Sequence, residues 1–385
     1  MIAGVLSAVA LVAWVYLVFA RGGFWLGRER DDATEPLPAA LPQVAVVVPA
    51  RNEADSIEKS ITSLLSQDYP ALAIVLVDDD SNDGTADIAR HAAAALGKED
   101  RLTIVGSGAL PPRWTGKLWA VKQGIAAAQE TFAPKYLMLT DADIVHAPDT
   151  ASWLVAHAEA HNLVLTSLTA RWRCEALPER VHIPAFIFFF QLIYPFAWVN
   201  RPDNETAAGA GGCMLARTDA LRAAGGIDAI RDALIDDCAL AAEMKKQGPI
   251  WIGLTNRVQS IRPYPHWDDI RRMVARSAYA QLGYSPLILA GAISGMILSY
   301  LVPPLMALFG SGWAQTFGIV AWALMAIAFQ PILRFYRLSP LWGVALPAIT
   351  FLFMLYTLDS AYQYFAGRGG TWKGRVQAKA HDHGR

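Results

Sequence analysis

Charge, cysteine and glycine-rich phosphate loops are all scarce in this chain. Asp, Glu, Lys and Arg make up 17% of its 385 residues, where a soluble domain carries about a quarter. The 33 basic residues are balanced by 34 acidic ones, and a formal net charge of −1 excludes a basic nucleic-acid binder. With 54% hydrophobic residues it is not a disordered polar chain either. The three cysteines, Cys174, Cys213 and Cys238, are odd in number and never spaced C-x-x-C. That excludes a disulfide framework and a zinc knuckle and leaves small buried apolar residues as their reading. Neither the G-x-G-x-x-G fingerprint nor the G-x-x-x-x-G-K-[ST] loop occurs, so any phosphate must be handled without a backbone cradle. The length allows roughly two to three domains.

The shortage of charge is uneven. Residues 1–20 carry no charged side chain and match the ~20 residues a helix needs to cross a bilayer. No basic stretch precedes this run, so it reads as an anchor rather than a cleaved signal peptide. Arg21, Arg28 and Arg30 follow in a 21–41 linker and predict that what comes next is cytoplasmic. Three more apolar runs, Leu287 to Leu308, Trp313 to Leu333 and Leu341 to Leu358, predict a membrane region over 283–366. Pro303-Pro304 and Gly291/Gly295 predict a kinked or closely packed helix in the first of them. Arg334 and Arg337 place the second connection in the cytoplasm, yet three spans would send the basic tail 367–385 to the far side. One C-terminal segment is then open to a re-entrant or interfacial reading. Ile183 to Val199 holds Pro184, Pro195 and Gln191 and reads as an interfacial segment, with a buried core helix as the alternative.

Between these regions, over 42–282, short β-branched runs alternate with helical periodicity, which predicts an α/β domain with a mostly parallel sheet. Val44 to Val48, Ile74 to Val77, Leu102 to Val105 and Tyr136 to Leu139 are the expected strands, with Asp55 and Glu58 expected to cap the first helix. The second strand runs into Asp78-Asp79-Asp80-Ser81-Asn82-Asp83-Gly84-Thr85 and the fourth into Thr140-Asp141-Ala142-Asp143. One such cluster is as readily a turn as a site. Two, at the carboxyl ends of two strands where open sheets bind ligands, point to a site with a divalent cation.

Asp141 and Asp143 are expected to do different jobs, Asp143 on the metal and Asp141 toward a ribose. Oxygen ligands beside phosphate suit Mg²⁺ or Mn²⁺ better than zinc. Lys117, at a helix start, is placed to reach a diphosphate, with a surface lysine as the alternative. Gly209-Ala210-Gly211-Gly212 permits close backbone approach, and Asp236-Asp237 opens a helix, either as caps or with one carboxylate as general base. His157 and His161 share a helix face, but H-E-x-x-H is not matched and a metal role is not expected.

VVVPARNEADSIEKSITSLLSQDYP, VDDDSNDGT, TDAD and IDD, in this order, resemble membrane-anchored family 2 glycosyltransferases with a GT-A fold, over roughly Val44 to Gln281. More narrowly, PPRWTGKLWA, GGCMLARTDALRAAGGIDAIRDALIDDCALA and MVARSAYAQLGYSP are similar to hopanoid-biosynthesis-associated glycosyltransferases of bacteria, relatives of ceramide glucosyltransferase. The resemblance implies that Asp79 meets the nucleotide base and that Pro49, Ala50, Arg51 and Glu53 line its pocket. It makes Asp141 and Asp143 the DxD pair, with Asp141 on the nucleotide as well as the metal, and Asp237 the catalytic base, with Asp236 before it. It also marks Thr371-Trp372-Lys373-Gly374-Arg375 as a W-K-G-R element. Processive members carry Q-x-x-R-W where this chain has Met273-Val274-Ala275-Arg276-Ser277, which argues for transfer of a single sugar with Arg276 toward the diphosphate. Asp80 stands where many members have glycine.

The expected function is inverting, metal-dependent transfer of one sugar from a nucleotide-sugar donor, most simply a UDP-sugar, to a membrane lipid hydroxyl of hopanoid type. The expected place is the cytoplasmic face of a bacterial inner membrane. The rivals are a polyprenyl-phosphate acceptor on the same fold and a non-catalytic membrane scaffold.

Overall fold

The computed structural model describes residues 1–372 and 375–378. Lys373 and Gly374 of the W-K-G-R element, and 379–385 of the tail, lie outside the described residues.

Eight strands form the central sheet: β1 (Val44–Ala50), β2 (Leu72–Asp78), β3 (Leu102–Gly106), β4 (Tyr136–Leu139), β5 (Ile144–His146), β6 (Leu165–Trp172), β7 (Met214–Arg217) and β8 (Ile250–Ser260). Their order is β3-β2-β1-β4-β7-β6-β8-β5. β7 runs antiparallel to β4 and β6, and β5 antiparallel to β8, while all other pairings are parallel. β1 is apolar without alternation because both of its faces are covered. Val44, Val46 and Val48 meet Ile57, Ile61 and Leu64 of the helix Ile57–Leu65 on one side. Val47 meets Leu118, Val121 and Ile125 of the helix Gly116–Phe132 on the other. Each such fully buried aliphatic side chain contributes roughly 1.5–3 kcal/mol.

The four strands expected from the sequence are β1 to β4, extended by one or two residues at some ends. The expected Asp55 cap is absent. The helix starts at Ile57 with Ser56 before it, and the Glu53 carbonyl accepts the Ser56 and Ile57 amides at 3.0 and 2.9 Å. A backbone turn therefore does the work assigned to the aspartate. The 21–41 linker is not a loose connection. Arg30 bridges Leu254 of β8, the Leu254 amide donates to Glu29 O at 2.9 Å, and buried Asp31 pairs with Arg257 at 2.9 Å.

Among the described residues, four helices are long and apolar enough to cross a membrane: Ile2–Phe19, Leu177–Val199, Pro286–Phe309 and Gly312–Phe335. A further C-terminal helix, Leu346–Phe365, packs along the helix Trp267–Gln281, where Asp359 pairs with Arg271 and Ser360 Oγ donates to Ala275 O. In the Ile183 to Val199 stretch, Ile183, Ala185 and Phe188 are fully buried in the core, while Ile193 is exposed.

Just before Pro303-Pro304 the helix takes a π-helical turn over Ile297–Leu301. In an α-helix the Ser299 carbonyl would accept from residue 303 and in a π-turn from residue 304, and both are proline. The indole N–H of fully buried Trp14 supplies the missing donor at 2.7 Å. Trp14→Phe should leave that carbonyl unpaired in an apolar environment, at a cost of about 1–3 kcal/mol. A fall of several degrees in Tm of the detergent-solubilised protein, with little change in the contents of secondary structure, is the expected result. Gly291 and Gly295 are not points of close packing, since nothing lies within 4 Å of a Cβ built on either. That role falls to Gly318, where a Cβ would come within 2.7 Å of Ala307 N and 2.8 Å of Pro303 O.

Candidate active site

β1 lies between β2 and β4, so the connections leaving its carboxyl end diverge and open a crevice there. Three groups of charged residues line it.

The first is centred on Lys117. Thr115 caps the helix Gly116–Phe132, its hydroxyl accepting the Leu118 amide at 3.3 Å, and sets Lys117 in the first turn. From there the ammonium reaches Asp141 Oδ1 at 2.9 Å and Asp236 Oδ2 at 3.0 Å. Burial alone would favour loss of its proton, but the two carboxylates reverse this and raise its pKa. Asp141 is shifted upward by burial and by Asp143 and Asp236, against the pull of Lys117. Asp237 has no cation bonded to it among the described residues. Its Oδ2 accepts the Gly211 amide at 3.0 Å and its Oδ1 its neighbour Cys238's amide at 2.8 Å. Burial and then Asp236 push its pKa up to about 6. The glycine run makes this possible: a Cβ on Gly209 would lie 2.7 Å from Met214 Cε and 3.0 Å from the Asp237 carbonyl oxygen.

The second group holds Asp143. Arg262 donates to Asp143 Oδ2 at 2.6 Å and to Glu53 Oε1 at 2.8 Å. These carboxylates raise its pKa against the effect of burial. Arg262 follows β8, and the next turn is fixed by Glu179, whose Oε1 accepts the Tyr264 amide at 2.8 Å while Oε2 accepts those of Glu175 and Ala176.

The third group holds Asp79, which is 1% exposed. Ser107 Oγ donates to Asp79 Oδ1 at 2.6 Å, and Arg51 donates to the Asp79 carbonyl at 2.5 Å with its carboxylate 3.7 Å away. The rest of the acidic run builds the turn: Asp83 accepts the amides of Ala54 and Thr85, and Asp78 that of Ser81. Asp80 is exposed at φ +58, the left-handed region that glycine adopts most easily. The departure from glycine there is a departure in backbone preference, not in ligand chemistry.

Glu53, Asp79, Asp141, Asp143, Asp236 and Asp237 thus face Arg51, Lys117 and Arg262, six carboxylates against three cations. An all-oxygen donor set with surplus negative charge fits a hard divalent cation. Asp141 and Asp143 could hold one if Asp143 left Arg262. Pro49, Lys117, Asp141, Gly211, Asp236 and Asp237 share the walls of one cleft. Arg276 stands apart. It is exposed on the helix Trp267–Gln281 and makes no ion pair among the described residues, though its charge is felt at Tyr264, whose phenol burial pushes up to about 12.

Arg262, Ser107 and Tyr264 were not expected from the sequence. Arg262 sits in Ile261-Arg262-Pro263-Tyr264-Pro265, where the only hint was a rigid double-proline turn after a strand.

Residues 45–225 match the family described as Glycosyl transferase family 2. The chain carries a glycosyl transferase family 2 domain. Glycosyltransferase AglE of Haloferax volcanii is 39% identical to it over 71 residues, 18% of this chain and 22% of that protein. The match therefore spans about a fifth of the relative's length. Among solved structures, the mannosyltransferase PcManGT from Pyrobaculum calidifontis, in complex with GDP-Man and Mn²⁺, is similar at a TM-score of 0.57 and 20% identity. That similarity covers 94% of this chain and 98% of the other, so the shared GT-A-like fold extends beyond the sheet to the apolar helices.

Proposed function

We propose that this domain transfers one sugar, with inversion, from a nucleotide-sugar donor to a membrane lipid hydroxyl at the cytoplasmic face of a bacterial inner membrane, with Mg²⁺ or Mn²⁺. The observation that carries the reading is Lys117 joining Asp141 to Asp236, which brings the strand-end acidic motif and the helix-start acidic motif into one cleft. The helix Leu177–Ile193 lies between these motifs in sequence, so both of its ends stay on one side. The finer assignment of a UDP-sugar donor and a hopanoid-type acceptor rests on resemblance to the segments from Pro111 to Ala120 and from Gly211 to Ala241.

In this reading the donor diphosphate lies along Lys117 and Arg262, and its base lies toward Asp79 and Arg51. Asp237 accepts the proton of the acceptor hydroxyl as that oxygen bonds the anomeric carbon, and the bond from this carbon to the diphosphate oxygen breaks. A bound divalent cation on Asp141 and Asp143 supplies charge stabilisation for the leaving diphosphate. Arg276, near Tyr264, is placed at the rim.

The test is thermal stabilisation of the detergent-solubilised chain by UDP, GDP and CDP, each with and without Mn²⁺. Stabilisation by one nucleotide that needs Mn²⁺ and is lost in Asp143→Ala is the expected result. A well-folded sample that no nucleotide shifts would favour the scaffold reading. A second reading has one observation of its own. Lys59, Arg171 and Arg173 share a cavity with Trp172, Tyr336 and Glu175, and although Glu175 pairs with Arg173, the recess keeps a surplus of positive charge that suits the phosphate of a polyprenyl phosphate.

A further inference from the structure

At the end of the sheet opposite the cleft, a second set of ligating atoms converges. β8 runs parallel to β6 and in the direction of β1 and β4, so Trp251, its second residue, marks the end where those strands begin. Tyr136, the first residue of β4, is bonded there to Glu159 of the helix Thr150–Ala160. His157 of that helix and His161 just after it lie with Glu35 so that one ligand atom from each falls within 4.8 Å of the others. His161 Nε2 is already 3.4 Å from Glu35 Oε1.

His157 is the anomaly. It is 7% exposed, and neither ring nitrogen has a hydrogen-bond partner among the described residues. A buried imidazole left unpaired on both nitrogens is costly, and one of the two is a free lone pair. The neighbours do not relieve it. Trp153 stacks on the ring at 4.7 Å and Trp251 meets it edge-on at 4.7 Å. The Trp153 indole N–H is spent on the Ala33 carbonyl at 2.6 Å. The same bond fixes the chain two residues before Glu35, so one indole orients the ring and places the carboxylate. Burial, and then the neighbouring His161, pull the His157 pKa down to about 4.

We propose that Glu35, His157 and His161 form a binding site for a borderline divalent cation of the Zn²⁺ class, separate from the cleft and serving to fasten residues 31–36 to the sheet. Two imidazole nitrogens and one carboxylate oxygen suit Zn²⁺ and not Mg²⁺, which demands oxygen ligands. Bonds of about 2.0–2.1 Å in a tetrahedron set ligand atoms roughly 3.3–3.4 Å apart. The His161–Glu35 edge already meets this, and both side chains reach solvent, so they can close on the fixed His157 by small rotations. The fourth position is left for water.

The experiment is calorimetric titration of the full chain, purified in detergent and stripped with EDTA, with Zn²⁺ alone, alongside melting curves. One Zn²⁺ per chain and a rise of several degrees in Tm are expected. His161→Ala and Glu35→Gln should melt like the wild type in EDTA and lose affinity by more than the ~10–100-fold that an outer-shell change costs. Asp143→Ala, altered only in the cleft, should keep both responses. Zn²⁺ binding of unchanged affinity in His161→Ala and Glu35→Gln, or an unshifted wild-type Tm, would overturn the site.

Discussion

Asp237→Asn is expected to lower kcat by ~10²- to 10⁴-fold while leaving donor-dependent thermal stabilisation in place. The substitution keeps the shape but offers one acceptor oxygen to the two backbone amides of Gly211 and Cys238, so the folded fraction must be checked first. The pH dependence supplies a second readout. With the Asp237 pKa raised to about 6, its carboxylate is the dominant form above pH 6 and is lost below it. The wild-type rate should therefore decline as pH falls through about 6, and the residual rate of Asp237→Asn should lack that limb. An asparagine variant as active as the wild type would move the acceptor toward one already ionised, such as a lipid phosphate.

Lys117→Met should destabilise the fold by about 2–3 kcal/mol at neutral pH. That lies below the ~3–5 kcal/mol of breaking a fully dry ion pair, because the side chains of Asp141 and Asp236 retain 36% and 23% exposure. The sign with pH follows from the direction of the carboxylate shifts. Asp141 and Asp237 already have raised pKa values, and removing the ammonium raises them further. Groups that hold protons more tightly folded than unfolded favour folding at lower pH. The Tm deficit of Lys117→Met should thus be largest near pH 8 and shrink toward pH 5, and Mn²⁺ should restore part of it. A deficit independent of pH and of Mn²⁺ would mean that Lys117 acts by packing alone.

What could be read from the chain alone follows a physical boundary. β1, β2 and β4 are continuous apolar runs ended by polar clusters, so periodicity and turn chemistry locate them without help from the rest of the fold. Asp79, Asp141 and Asp237 carried a message because each sits where an element begins or ends. β5, β6, β7 and β8 depend on register with distant partners: β5 is three residues long, and β8 alternates only in its later half. Arg262 was hidden for the same reason. Nothing local distinguishes it, and its meaning comes from Asp143 and Glu53, 119 and 209 residues away in the chain. The apolar content of Ile183 to Val199 was legible, but which of its residues protein covers depends on distant partners such as Phe353, which meets Phe189 and which composition does not encode.

The domain is fastened to the apolar helices at two places, by Arg30 and Asp31 along β8 after the first helix and by Arg271 and Ser360 between the helix Trp267–Gln281 and the last helix. Such a domain cannot rise and dip like a buoy on a mooring line. On the proposed reading its mouth stands at one fixed height above the bilayer, and the distance from the lipid surface becomes a selection criterion in itself. An acceptor whose reactive oxygen emerges at that height is presented to Asp237 by its own insertion depth. A lipid of similar headgroup chemistry but shorter or longer reach would be passed over without any contact having to reject it.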